Sequence, residues 1–291
     1  MEQTIRTIDW SAAWAAAQTE SRTRRKPYRD PSFWNKRAKG FADHQQHKSD
    51  YPAQFIRMLD LKPGWTILDA GCGPGTLALP LAARGFRVTA MDFSENMLAI
   101  LRERAREHHL SGIETMLSSL EDPWEDSGIG RHDVVIASRS LVVKDLAGLL
   151  QKLTQFAKHK VIVSAMVGHG PFDQRIIDAA GRTRSPGPDY IYVLNQLYCM
   201  GIHARLDFTV HPVNRTYENH EDALEESLWM IDDITPEEED RLRRFFANHL
   251  EKKGDVWFLP QKEPVRWAVI SWDTDRVNMP CGFGEEIKDA R

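Results

Sequence analysis

The chain has 291 residues, 38 Lys plus Arg against 42 Asp plus Glu, and a formal net charge of -4. That length fits one large domain or two small ones, and a 42% hydrophobic content supports a sizeable core and excludes wholesale disorder. The balanced charge excludes a broadly basic nucleic-acid binder.

In chain order, Trp10, Trp14 and the alanines from Ala12 to Ala17 predict a short helix. Arg22, Arg24, Arg25 and Lys26 follow as a solvated basic stretch ended by Pro27. Phe33, Trp34, Arg37, Ala38 and Phe41 recur at helical spacing, and Phe55, Ile56, Met58 and Leu59 do so after Pro52. From there strands and helices alternate. Strands are predicted at Thr66–Ala70, Phe86–Met91, Ile113–Leu117, Asp133–Ala137 and Val161–Val167, and helices at Leu77–Ala83, Ser94–Leu110 and Leu146–Ala157. Such alternation means βαβ units and a parallel sheet. Beyond residue 170 the order loosens. Tyr190–Met200 reads as a helix and Ala204–Val210 as a strand. Glu218–Met230 and Pro236–Lys252 read as charged amphipathic helices, and Trp267–Trp272 as the last strand.

Cys72, Cys199 and Cys281 stand far apart and in no CxxC spacing, so neither a disulfide scaffold nor a Cys-built zinc site is expected. His44 with His47, and His108 with His109, lack companion ligands, so no metal is expected. No apolar run approaches the ~18 residues that span a bilayer. The N-terminus lacks a secretory signal pattern, so a cytoplasmic location is expected.

The most informative stretch is Leu68-Asp69-Ala70-Gly71-Cys72-Gly73-Pro74-Gly75-Thr76, where a buried strand runs into three alternate glycines and then a helix. Glycines let a ligand approach the backbone closely, and the helix behind presents free N–H groups and the positive end of its dipole. Asp69 would repel a pyrophosphate there, and a ligand carrying positive charge is the better guest. A dinucleotide fingerprint, GxGxxG, would need a glycine where Thr76 stands, which disfavours a dinucleotide-dependent oxidoreductase.

Asp69 ahead of GxGxG, Asp92 after the second strand and His132-Asp133-Val134-Val135 in the fourth together resemble the motifs of class I S-adenosylmethionine-dependent methyltransferases. The likeness is clear over about residues 33–170. It implies an α/β, Rossmann-like fold: a seven-stranded, mostly parallel sheet of order 3-2-1-4-5-7-6. Residues 1–50 would form a helical N-terminal cap and 51–272 the methyltransferase domain. A helical insertion at about 213–263 would precede the last strand, and 273–291 would be a tail.

By the same resemblance, Asp69, Gly71, Cys72, Gly73 and Gly75 surround S-adenosylmethionine, Asp92 bonds the ribose diol and Phe93 packs on the adenine. The family's adenine-binding aspartate is replaced. Counting back from Pro123 puts Ser118 in its slot, with the Ser119 or Leu120 amide left for the ring nitrogen. Ser138 ends the strand that faces the methyl donor. Lys36 or Phe41 would touch the donor's methionine end.

The fourth strand continues Ser138-Arg139-Ser140-Leu141, not the Pro-Pro-aromatic motif of base amino-methyltransferases. The Pro-Cys pair of cytosine C5 enzymes is absent there, since Pro280-Cys281 lies far along the chain. The candidate catalytic residues are Arg139 and His169. Arg139 would clamp an acidic acceptor or pair with a carboxylate on a neighbouring helix. His169, between two glycines, would be a base, a polar clamp or a structural loop histidine. Tyr190, Tyr192, Tyr198, Trp229 and Trp257 exceed what a helical cap needs and are read as lining an acceptor pocket.

The expected function is in-line transfer of a methyl group to a small-molecule acceptor, leaving S-adenosylhomocysteine. Neither nucleic acid nor membrane is an expected partner, and a homodimer is left open. An RNA or protein methyltransferase and a catalytically silent S-adenosylmethionine-binding module stand as alternatives.

Overall fold

The computed structural model describes residues 7–20, 31–35, 38, 50–211, 216–231, 233–260 and 264–276. The basic stretch at 22–26, Lys36, Phe41, His44, His47, Cys281 and the tail from 277 lie outside the described residues.

Seven strands form, the central ones apolar and covered on both faces, the edge ones partly exposed. In chain order they are β1 (Thr66–Ala70), β2 (Arg87–Asp92), β3 (Ile113–Leu117), β4 (His132–Ser138), β5 (Ala157–Met166), β6 (Arg205–His211) and β7 (Val265–Asp273). They form one sheet of order β3-β2-β1-β4-β5-β7-β6, the expected topology. Only β7 runs against its neighbours, pairing antiparallel with both β5 and β6.

Side chains alternate across the sheet with the strand period of two. Ile67, Val134, Ile136 and Ile162 join one core, with Phe55 of α2 (Tyr51–Arg57), Leu81 of α3 (Ala78–Ala82) and Leu98 and Leu101 of α4 (Glu95–Glu107). Leu68, Val135, Ala137 and Val163 join the other. There they meet Leu150 and Leu153 of α5 (Leu146–Phe156), Val193 and Leu197 of a later helix (Tyr190–Cys199), and Trp14 of α1 (Trp10–Glu20). Central strands buried on both faces read as continuous apolar runs, which is why β1 and β4 stood out. Each fully buried aliphatic side chain contributes about 1.5–3 kcal/mol.

The N-terminal helix is more than cover. Trp14 Nε1 and Gln18 Nε2 both donate to the Val143 carbonyl, at 2.9 and 3.1 Å, and so tie α1 to the loop after β4.

Between β6 and β7 a third core gathers Leu224, Leu242 and Phe246 with Tyr217 and Leu259. The helix expected over Pro236–Lys252 stops at His249. Leu250 is already extended, and Glu251–Lys253 pairs with Val256–Phe258 across Gly254-Asp255, with Thr216–Tyr217 as third strand. The insertion is therefore helices plus a small antiparallel sheet. Gly254, at φ +62°, takes the left-handed position in the turn of this hairpin. Before it, α6 (Gln174–Ala179), capped by Asp173, was too short to show a periodicity. Among the described residues no helix is long and apolar enough to cross a membrane.

Candidate active site

Parallel strands bring their carboxyl ends to one edge, and a cavity opens there. The glycine loop, the loops after β2 and β3, the tip of β4 and Trp34 line it.

The loop after β1 is pinned to β2, since the Gly71 and Cys72 amides both donate to the Met91 carbonyl at 2.7 and 2.9 Å. Gly71 adopts φ +78°, and a Cβ there would stand 2.5 Å from Ser140 Cβ, so this position must be glycine. Gly75 faces away from the cavity. A Cβ on it would come within 2.3 Å of Leu101, so its part is to let α3 and α4 pack. Burial pushes the Cys72 thiol well above its usual range, with the charges of Asp69 and Asp92 adding to it. Cys72 therefore lines the site as a small apolar residue and not as a nucleophile.

Two carboxylates share this edge. Asp92 is oriented by two amides: Gly73 N–H donates to Oδ2 at 2.8 Å and Ser94 N–H to Oδ1 at 2.9 Å. Each oxygen keeps a further lone pair, so two acceptor positions remain for a diol. Ser94 caps α4 through Met97 N–H, which spares Asp92 that work. Burial raises the Asp92 pKa, opposed by those amide bonds. Asp69 is more exceptional. It is 2% exposed and its Oδ2 has no hydrogen-bond partner. Burial, and then the charge of Asp92, raise its pKa to about 7.

Phe93, Ser118, Ser119 and Leu120 all line the cavity, as does Glu121. Asp122 shapes this turn, accepting from Ser119 N–H at 2.8 Å and from the Ser118 hydroxyl at 3.2 Å. Nothing in the sequence pattern sets Asp122 apart as a site residue. Its only mark was an acid three residues after Ser119, ahead of Pro123. Trp34 enters from the 31–35 helix, whose Asn35 Oδ1 accepts from the Ser94 hydroxyl at 2.6 Å.

At the tip of β4, Ser138, Arg139 and Ser140 face the cavity. Ser140 donates to the Ala70 carbonyl at 2.9 Å and closes the loop from this side. Ser138 and Ser164 both hydrogen-bond the Tyr51 hydroxyl, at 2.5 and 2.9 Å. Arg139 is held at φ +56°, its amide donating to Ser164 Oγ at 2.9 Å, with its guanidinium 4.1 Å from the Tyr51 ring centre. Tyr51 was invisible as a site residue because nothing distinguishes it from a core aromatic.

Other candidates lie elsewhere. His169 is exposed on the turn after β5 and does not line the cavity. None of the five aromatics expected at an acceptor pocket lines it either. Tyr190 meets Phe208, Tyr192 meets Trp10 and Trp14, and Tyr198 meets His203. Trp229 meets Phe172 and Trp257 meets His220. These rings join the covering helices and the insertion, and among the described residues Trp34 and Phe93 are the aromatics that line this cavity. Among the described residues no group of three or more His, Cys, Asp or Glu could hold a metal ion.

A Rossmann-like sheet with a glycine loop and an acid at the next strand end defines a nucleoside-binding α/β protein. Residues 67–160 match the family described as Methyltransferase domain. The chain is 32% identical over 250 residues to an uncharacterized protein of Haemophilus influenzae, covering 85% of this chain and 91% of that one. It is 33% identical over 113 residues to the ubiquinone biosynthesis O-methyltransferase of Rickettsia conorii. That match covers 39% of this chain and 37% of the relative, well under two thirds of its length. A solved Bacillus halodurans protein, named as a candidate methyltransferase, shares the fold at TM-score 0.52 and 14% identity, covering 78% of this chain and 99% of that one. Residues 67–160 thus carry a methyltransferase domain, and with the sheet order they give the chain the class I S-adenosylmethionine-dependent methyltransferase fold.

The residues present fit that family's methyl donor. The unpartnered Asp69 Oδ2 suits a ligand that brings positive charge, and S-adenosylmethionine carries an ammonium and a sulfonium. A Cβ at Gly73 would meet no atom within 4 Å, which leaves open space beside the loop.

Proposed function

We propose that this chain transfers a methyl group from S-adenosylmethionine to a small-molecule acceptor held beside the tip of β4. The observation that carries this reading is a single cavity joining the glycine loop, Asp92, the Ser118–Glu121 turn and the β4 tip. The bound donor supplies a methyl group already activated on a sulfonium. The protein's part is to hold and align. Asp92 takes the ribose diol, Phe93 and Leu120 flank the adenine, and the Gly71–Gly73 backbone follows the methionine chain. Ser138 and Ser140 border the space in which the methyl group meets its acceptor. In-line displacement needs the nucleophile, carbon and sulfur held on one axis, and such positioning alone can supply much of the rate. A base is required only for an acceptor that is protonated at working pH.

The net charge of -4 supports a small acceptor over a polyanion, whose binding draws on a basic surface. The name of the Rickettsia relative, a ubiquinone biosynthesis enzyme, points the same way. The test is incubation with methyl-labelled donor and a cell extract split into small-molecule, RNA and protein fractions. Label is expected in the small-molecule fraction. Label confined to RNA or protein would overturn the acceptor class, and no transfer to any fraction would favour a silent binding module.

A further inference from the structure

We propose that Arg139 is the receptor for an oxyanion on the acceptor, a carboxylate or a phosphate, so that the substrate is a small acid. This rests on the methyl-transfer reading and names its substrate class. Arg139 is the basic residue among the described residues that line the cavity, where the ionisable groups otherwise are Asp69, Cys72, Asp92 and Glu121. No carboxylate among the described residues pairs with it, so the ion pair to a neighbouring helix is not made. Its contacts are instead aromatic: Tyr51 at 4.1 Å and Trp267 at 5.8 Å from the guanidinium carbon to the ring centre. Stacking occupies the faces of a guanidinium and leaves its N–H edge, a fork that matches a carboxylate or phosphate, for a ligand.

The pose is built. A non-glycine residue at φ +56° is costly and persists only where its surroundings hold it. Here Ser164 fixes the Arg139 amide and, with Ser138, fixes the Tyr51 hydroxyl beneath the guanidinium. Burial also lowers the Arg139 pKa, a shift that no carboxylate among the described residues opposes.

Position assigns the anion to the acceptor. Trp267 lies on β7, in register with Met166 of β5 and Thr209 of β6, and the Tyr51 ring meets His211 of β6. The guanidinium therefore meets rings packed on the β5–β7–β6 half of the sheet, while Arg139 lines the cavity that the glycine loop and Asp92 share. The donor's own carboxylate is the other source of the same chemistry, and the test separates the two.

Wild-type protein saturated with S-adenosylhomocysteine is titrated with benzoate, phenyl phosphate and, as the uncharged control, benzamide. At least one oxyanion should bind more tightly than benzamide, and Arg139→Met should weaken it by about tenfold or more. Arg139→Lys, which keeps the charge and loses the fork, should fall between. S-adenosylhomocysteine affinity should survive Arg139→Met, which also shows that the variant folds. Equal binding of benzamide, or oxyanion binding indifferent to Arg139, would overturn the proposal. So would a parallel loss of S-adenosylhomocysteine affinity, which would place Arg139 on the donor's carboxylate. Failure of the wild type to bind S-adenosylhomocysteine would instead sink the methyl-transfer reading, and the oxyanion titrations repeated without it would still decide the role of Arg139.

Discussion

Asp69 shows how a single carboxyl can carry both a cost and a function. With a folded pKa of about 7 against 3.8, the folded chain keeps a proton that the unfolded chain has lost. Stability of the ligand-free protein should therefore fall as pH rises from about 4 to about 7, and Asp69→Asn should remove that loss and raise the melting temperature at neutral pH. Binding runs the other way. A cationic donor favours the ionised carboxyl, so its affinity should increase with pH up to about 7 and level off above. Asp69→Asn should bind more weakly and with a flatter profile; an unchanged profile by calorimetry would remove Asp69 from the site. The acid ahead of the glycines was legible from the sequence because its charge conflicts with a pyrophosphate. Arg139 was legible as a candidate clamp for an acidic acceptor, but its contact with Tyr51 was not, since that depends on two segments that meet only in the folded chain.

Elements were legible in proportion to their regularity. β1, β4 and α4 stand out through continuous or periodic apolar residues, and Ser94 marks the start of α4. The end of the Pro236–His249 helix was not legible, because the charged residues beyond it suit a helix as well as an exposed hairpin. The start of that helix is tied down better. Thr235 and Glu238 form a reciprocal capping box, and Glu238 also takes two 2.7 Å bonds from Arg182. The Arg182 bonds hold the Glu238 pKa at about 2 against 4.5, so this contribution is full above about 4.5 and is lost as pH falls toward 2. Glu238→Ala should cost about 2 kcal/mol at neutral pH in denaturant unfolding. A change within experimental error would show that the insertion does not depend on this box. At the other end of the chain, Trp14→Ala should cost about 3–5 kcal/mol and loosen the Val143 loop that it anchors. Faster hydrogen exchange at residues 141–144 would report it.

At the scale of the molecule, the parallel part of the sheet was legible from the strand–helix alternation, and the full seven-stranded order only through the family resemblance that the glycine loop carries. What was not legible is how little the aromatic-rich half contributes to the cavity. Trp229 and Trp257 were read as lining an acceptor pocket, yet they pack against the core of the insertion. The sheet, the glycine loop and the β4 tip form one edge, so donor binding should stabilise the whole domain by mass action, by about 2.7 kcal/mol at a hundredfold excess over Kd. The central claim is that this edge holds S-adenosylmethionine with Asp92 on its ribose. Isothermal calorimetry with S-adenosylhomocysteine tests it most directly: one site per chain is predicted, weakened about a hundredfold or more by Asp92→Ala. An affinity unchanged by that substitution would contradict the account.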